Sequence, residues 1–242
     1  MKYKLTLSFD GSAFSGWQVQ NNAPTVQAEL TRCVRIILGD TATVTGSSRT
    51  DSGVHALGFV CHIESEKSLP ESSLLSALNH NLDTHIAVLD CVKVPDSFHA
   101  RYSAVSKEYH YIIHNSEIHE PFLNSRVWHY PYPLDAVKMN ESAAELLGEH
   151  RFTSFMAAGS KITDTVREVK YFKAERNADE IIFTVAADGF LYNMVRIMVG
   201  TVAEKASGTE LPPINVIIKA RDRSKAGITA PAKGLTLNKV FY

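Results

Sequence analysis

One stretch of the chain gathers the groups best able to do chemistry. In Gly46-Ser-Ser-Arg-Thr-Asp-Ser-Gly-Val-His-Ala56 a carboxylate (Asp51), a permanent cation (Arg49) and an imidazole (His55) fall within seven residues. Small residues surround them (Gly46, Ser47, Ser48, Ser52, Gly53), so the backbone turns tightly and a large partner can come close. Such an aspartate serves as nucleophile or base, or it caps its own turn beside an arginine that pairs with it. A second signal is Arg196, set in the apolar run Met194-Val-Arg-Ile-Met-Val-Gly-Thr-Val202. A buried guanidinium needs a carboxylate partner elsewhere in the chain, and Asp51 is one candidate. That pairing would keep Asp51 an anion at neutral pH. The alternative is an arginine whose stem reaches out to solvent.

The third signal is Phe98-His-Ala-Arg-Tyr-Ser-Ala-Val-Ser-Lys-Glu-Tyr-His-Tyr111, where Arg101, Lys107 and His110 interleave with Tyr102, Tyr109 and Tyr111. Rings among cations suit an unpaired base and its phosphates. They equally suit a strand with Tyr109 and Tyr111 on one core face at period two. Lys219, Arg221, Arg223, Lys225 and Lys233 form a basic run opposed only by Asp222. It reads as a solvated surface or as a track for a phosphate backbone.

The elements that must position these groups alternate between strand and helix. Strands are expected over residues 3–9, 41–45, 54–63 and 86–94. A helix capped by Thr25 and ended by Gly39 carries Val26, Leu30, Val34, Ile37 and Leu38, and another covers 70–82. This β-α-β-β-α-β order is the ferredoxin-like signature. The second half repeats the type: a strand over 108–114, a helix over 133–147 closed by Gly148, and a hairpin of 166–176 and 180–186 around Asn177-Ala-Asp179. Helices over 190–206 and 213–220 and a closing strand over 235–242 follow. The expected fold is α+β, two ferredoxin-like halves (residues 1–105 and 106–242) joined through a mixed, mainly antiparallel central sheet with a cleft between them.

Composition narrows the classes. The 242 residues are 45% hydrophobic and 21% charged, as expected of a globular protein with a sizeable core. No run approaches the ~18 apolar residues of a membrane span. Cys33, Cys61 and Cys91 lack metal-ligand spacing, and the ten histidines include no metal-binding pair, so core thiols in a reducing cytoplasm are expected. A net charge of −1 does not advertise a nucleic-acid partner.

Taken together, the motifs resemble the tRNA pseudouridine synthase A family along nearly the whole chain. Phe9-Asp-Gly-Ser12, Gly16-Trp-Gln18 and Ser48-Arg-Thr-Asp-Ser-Gly-Val-His55 carry the likeness. So do Phe98-His-Ala-Arg-Tyr-Ser-Ala104, Lys107-Glu-Tyr-His-Tyr111, Phe152-Thr-Ser-Phe155, Met194-Val-Arg196, Val199-Gly200 and Gly234-Leu235. The resemblance implies Asp51 as catalytic aspartate, Tyr109 facing the uracil and Arg196 pairing with Asp51. It implies Arg49 as the residue entering the RNA stem, with His55 and Leu235 at the substrate. Arg101, Lys107, Arg221 and Arg223 are assigned to the RNA backbone. The implied reaction turns uridine into pseudouridine at positions 38, 39 and 40 of the tRNA anticodon stem-loop, without cofactor or metal, by a cytoplasmic homodimer. Ser48 and Ser52 stand where the family usually has Gly and Ala, each adding a hydroxyl near Asp51. The residues alone also admit a non-catalytic RNA-binding module. They admit, too, a carboxylate-dependent hydrolase with Asp10 or Asp188 as second acid.

Overall fold

The computed structural model describes residues 1–160 and 162–242. In chain order the elements are β1 (Lys2–Phe9), α1 (Val26–Leu38), β2 (Thr43–Gly46), β3 (His55–Glu64), α2 (Glu71–Asn81), β4 (Ile86–Val94), β5 (Ser106–His114) and β6 (Trp128–His129). There follow α3 (Ala136–Ala144), β7 (Gly148–Arg151), β8 (Val166–Asn177), β9 (Glu180–Ala187), α4 (Met194–Ala206), α5 (Ile214–Ala220) and β10 (Leu235–Phe241). The architecture is α+β with two similar halves, the first running β1-α1-β2-β3-α2-β4 and the second β5-β6-α3-β7-β8-β9-α4-α5. One compact unit comprises Met1–Val105 with Thr236–Tyr242, the other Ser106–Leu235.

In the first unit β1 alternates strictly, burying Tyr3, Leu5, Leu7 and Phe9, as a strand with one face in the core must. The strand order is β4-β1-β3-β2 with antiparallel pairings, the ferredoxin-like arrangement. The ten-residue β3 outruns β2, which pairs only with Cys61–Glu64. The edge left at His55 and Ala56 is taken in parallel by Thr236 and Leu237 of β10. Thr25 caps α1 by accepting from the Ala28 N–H at 3.3 Å, and Gly39 ends it at φ +99°. Cys33 completes the buried stripe of α1, while Ile37 is only half-buried.

In the second unit the order is β5-β9-β8-β7, antiparallel, with the short β6 parallel to β5. The β8–β9 hairpin turns through Ala178 at φ +50°, as its Asn-Ala-Asp sequence suggests. Two expectations shorten. The helix expected over 133–147 runs only from Ala136 to Ala144, because Asp135 caps it by accepting from the Val137 N–H at 2.8 Å. The helix expected from Phe190 begins at Met194, because Asn193 adopts a left-handed conformation at φ +60°. Strand β7, with its sequence Gly-Glu-His-Arg, carries no apolar alternation and is recognisable only by its pairing with β8.

At the far end of β3, His62 fastens the turn that follows β4. Its ring is 2% exposed, and its Nδ1 accepts from the Ala100 N–H at 3.1 Å. Tyr242 donates to the Ala100 carbonyl at 2.7 Å, and Val105 N–H to Phe241 O at 2.9 Å. Burial, reinforced by Lys2, lowers the His62 pKa below its ordinary 6.5. The unfolded chain therefore binds a proton here that the folded chain resists. The stability from neutral His62 is complete above that range and is lost as pH falls through it. The melting temperature is expected to drop between pH 7.5 and 5.5, and to drop less in His62→Gln, whose amide oxygen can still accept from Ala100. Equal pH slopes in calorimetric melts of the two proteins would acquit this histidine.

Candidate active site

The loop of residues 47–54, between β2 and β3, is held by backbone contacts too close for side chains. Ser47 N–H donates to Val60 O at 2.8 Å, Trp17 N–H to Thr50 O at 3.2 Å, and Gly53 N–H to Phe14 O at 3.4 Å. Gly16 has φ +89°, and a Cβ there would lie 2.4 Å from the Thr50 carbonyl oxygen. A Cβ on Gly11 would fall 2.0 Å from the Val54 carbonyl oxygen. Gly46 lies against the Trp17 indole, where a Cβ would come within 2.6 Å, and Trp17 stacks on Phe59 at 4.1 Å. The segments around Gly11 and Gly16-Trp17 are thus the floor on which the Asp51 loop rests.

On that floor Asp51 is half-buried and Arg49 is exposed. His55 opens β3 at 6% exposure. Its Nδ1 accepts from the Gly11 N–H at 3.1 Å and lies 3.2 Å from Asp10 Oδ1. A backbone N–H can only donate, so in this bond Nδ1 is the acceptor. His55 therefore ties the floor to β3. The hydroxyls of Ser47, Ser48 and Thr50 are buried and reach no hydrogen-bond partner among the described residues. Ser52 Oγ donates instead to Phe14 O at 3.4 Å. Arg101 stands apart from this group, on the turn fastened to His62. That is seven residues along β3 from His55, or about 23 Å.

In the second unit Tyr109, Tyr111 and Ile113 share the buried face of β5, and Tyr109 meets Phe190 edge-on at 5.1 Å. Arg196 lies in the first turn of α4. Its Nε donates to Ala230 O at 2.7 Å and its Nη1 to Asn193 Oδ1 at 2.8 Å, and its own carbonyl accepts from the Ala230 N–H at 3.1 Å. Tyr111 donates to Pro231 O at 2.8 Å, and its ring fills the space a Cβ on Gly234 would need, 2.6 Å away. Burial pushes the Tyr111 hydroxyl well above its ordinary pKa, so it remains a donor. Arg196 and Tyr111 together pin the segment that leads to Leu235, itself buried. Lys107 is half-buried on β5. Arg221 is exposed at the end of α5, whereas Arg223 bonds Ala226 O at 3.2 Å and Thr229 Oγ1 at 3.0 Å. Asn193 and Phe190 escaped the reading of the sequence; an Asn opening an apolar helix was the available signal. Among the described residues no group of His, Cys, Asp and Glu is arranged to hold a metal ion, and no helix is long and apolar enough to cross a membrane.

Comparison with known proteins bears on what this arrangement serves. A family model described as tRNA pseudouridine synthase matches residues 6–103 and 142–242. The tRNA pseudouridine synthase A of a Thermoanaerobacter species is 43% identical over 239 residues, 98% of each chain. That of Moorella thermoacetica is 44% identical over 242 residues, 99% of this chain and 98% of its own. That of Bacillus pumilus is 43% identical over 245 residues, covering 100% and 99%. A solved Cbf5–Nop10–Gar1 complex aligns over 96% of this chain and 50% of its own at 12% identity. Its TM-score of 0.39 is too low to bear on the fold.

The floor beneath Asp51 is testable at Gly16. Gly16→Ala forces an L side chain into a left-handed conformation and against the Thr50 carbonyl. It is expected to destabilise the protein by about 1–3 kcal/mol and to lower activity beyond what that loss explains, since the Asp51 loop must shift. Thermal melts beside single-turnover rates check this, and a folded variant of parental rate would show the loop does not depend on this contact.

Proposed function

The chain belongs to the tRNA pseudouridine synthase family and is an isomerase of uridine in tRNA; we propose that it acts in the anticodon stem-loop, at positions 38, 39 and 40, with Asp51 as the catalytic group. The observation that carries this reading is the aspartate loop itself. It lies within the family-matched region, and its floor leaves no room for a Cβ at Gly11 or Gly16. Catalysis asks for an acid held in one geometry, and close backbone packing provides that.

We assign Arg196 as the partner of Asp51. It sits in the first turn of α4, where the helix dipole is positive and disfavours a cation, and that turn holds no acidic residue. Asn193 and Ala230 orient its guanidinium but supply no negative charge. A carboxylate is what such a group requires, and an arginine beside it keeps the carboxylate ionised.

A uridine stacked in a stem is out of reach, so the base must swing out of the helix. Arg49, exposed on the loop, is assigned to the gap it leaves, and Tyr109 to the face of the uracil, with His55 and Leu235 bordering the substrate. The C1′–N1 bond breaks, the uracil turns, C1′–C5 forms, C5 loses its proton and N1 gains one. No atom is gained or lost and nothing is oxidised, so the reaction itself calls for no cofactor. Asp51 adds to the ring or to the sugar, or takes the C2′ proton to give a glycal. Arg101, Lys107, Arg221 and Arg223 are assigned to phosphates, Arg223 only through the donors its internal bonds leave over. The protein acts in the cytoplasm as a homodimer, which doubles the basic surface offered to a large polyanion. Light scattering is expected to give about twice the 26.8 kDa chain mass, and a fully active monomer would refute the dimer.

The test of the reading is Asp51→Asn, scored for pseudouridine in tRNA beside a melt and a binding isotherm. Asn keeps the size of Asp but is neither nucleophile nor base. Turnover is expected to fall by about 10²–10⁴-fold or more, with tRNA affinity little changed, since binding rests on phosphate and stacking contacts. Arg196→Leu is expected to depress turnover more than binding. A folded Asp51→Asn protein working near the parental rate would remove Asp51 from the chemistry.

A further inference from the structure

The turn fastened to His62 presents an aromatic ring to solvent in a way packing does not require. Tyr102 is 78% exposed, although large aromatics usually bury most of their surface. The turn beneath it is rigid. His99 Nδ1 accepts from the N–H groups of Arg101 and Tyr102 at 3.1 and 3.2 Å. His99 N–H donates to Ser103 Oγ at 3.0 Å, and Ser103 N–H returns to His99 O at 2.9 Å. Ala100 is clamped between His62 and Tyr242. The Tyr102 ring lies along the His99 ring, centroids 4.3 Å apart and tilted by 32°, and His99 meets His62 at 4.9 Å. The Arg101 guanidinium stands 5.8 Å from the Tyr102 centroid, and Lys4 Nζ stands 6.0 Å from the Tyr242 ring. Glu64, 3.5 Å from His62 Nε2, is paired with Lys2 at 2.9 Å.

We propose that Tyr102, backed by His99 and flanked by Arg101, is a stacking platform for an unpaired base of the RNA, with Arg101 on the adjoining phosphate. It rests on the reading of the chain as a tRNA enzyme and adds a subsite about 23 Å along β3 from the Asp51 loop. The platform therefore takes a nucleotide other than the one isomerised. A ring held on a rigid turn loses little freedom when a base stacks on it, and a neighbouring guanidinium adds attraction both to the base face and to the phosphate. The distribution of charge favours RNA over an apolar protein partner, since Arg101 and Lys4 border the rings.

The test compares Tyr102→Ala, Tyr102→Phe and Arg101→Ala in tRNA binding at several salt concentrations. Tyr102→Ala is expected to weaken binding roughly tenfold or more while leaving the salt slope unchanged, because stacking releases no counterion. Tyr102→Phe is expected to stay within about twofold of the parent, since the platform uses the ring and not the hydroxyl. Arg101→Ala should weaken binding and reduce the log–log salt slope by about one. Parental affinity in Tyr102→Ala overturns the platform, and so does a Phe variant as weak as the Ala variant. The side chain is exposed, so the variants are expected to melt with the parent, and a lowered melting temperature in Tyr102→Ala would mark the ring as structural and overturn the platform too. Failure of the underlying reading shows separately, as a parental protein that makes no pseudouridine in the same tRNA.

Discussion

The loop that carries Asp51 depends on an exclusion: at two points no side-chain atom fits between it and the segment after β1. Gly11 faces the Val54 carbonyl and Gly16 the Thr50 carbonyl at distances that only backbone can adopt. This contact brackets Asp51 from both sides in sequence, at positions 50 and 54. A loop between two strands would ordinarily be among the more mobile parts of a protein. Here it is closed down by main-chain hydrogen bonds from Trp17 and to Phe14, and by an indole wedged between Gly46 and Phe59. His55 adds a bond from the same floor to the start of β3. The aspartate thus inherits its position from packing and hydrogen bonds made by residues before and after its loop.

The second unit solves a related problem with charge. Arg196 is carried by a helix whose other first-turn residues are apolar and buried, and whose dipole opposes it. Asn193, in a left-handed conformation, ends the preceding loop and turns its amide oxygen onto the guanidinium. The Ala230 carbonyl fixes the Nε side. A few residues on, Tyr111 holds Pro231 and closes over Gly234. The strand that follows leaves this unit and completes the edge of β3 in the first.

A net charge of −1 on a protein of a tRNA-modifying family is instructive. Affinity for a polyanion follows local placement of cations more than their sum. Several of the basic residues are committed internally: Lys2 to Glu64 and two carbonyls, Arg32 to Glu29, Arg223 to Ala226 and Thr229. Arg49, Arg101, Lys219, Arg221 and Lys225 remain at the surface.

Short-range signals made much of the fold legible in the sequence. Thr25 and Gly39 bound α1, the alternation of β1 marks its buried face, and Asn177-Ala-Asp179 makes a hairpin, because caps, periodicity and turn chemistry act over a few residues. The Asp51 loop was likewise visible, as small residues around an acid. What only the tertiary structure decided are choices of partner. Nothing local tells that Gly16 meets Thr50, that β10 pairs with β3, or that Gly-Glu-His-Arg becomes β7. Nor does composition separate Arg221, which is exposed, from Arg223, whose guanidinium is bonded within the chain, or foretell that Tyr102 is left exposed while Tyr109 and Tyr111 are buried. The Tyr pair obeys the period of its strand. Tyr102 sits on a turn whose shape is set by a histidine forty residues earlier and a tyrosine at the other end of the chain. Contacts across such separations depend on which surfaces meet, and that is settled only when the whole chain packs.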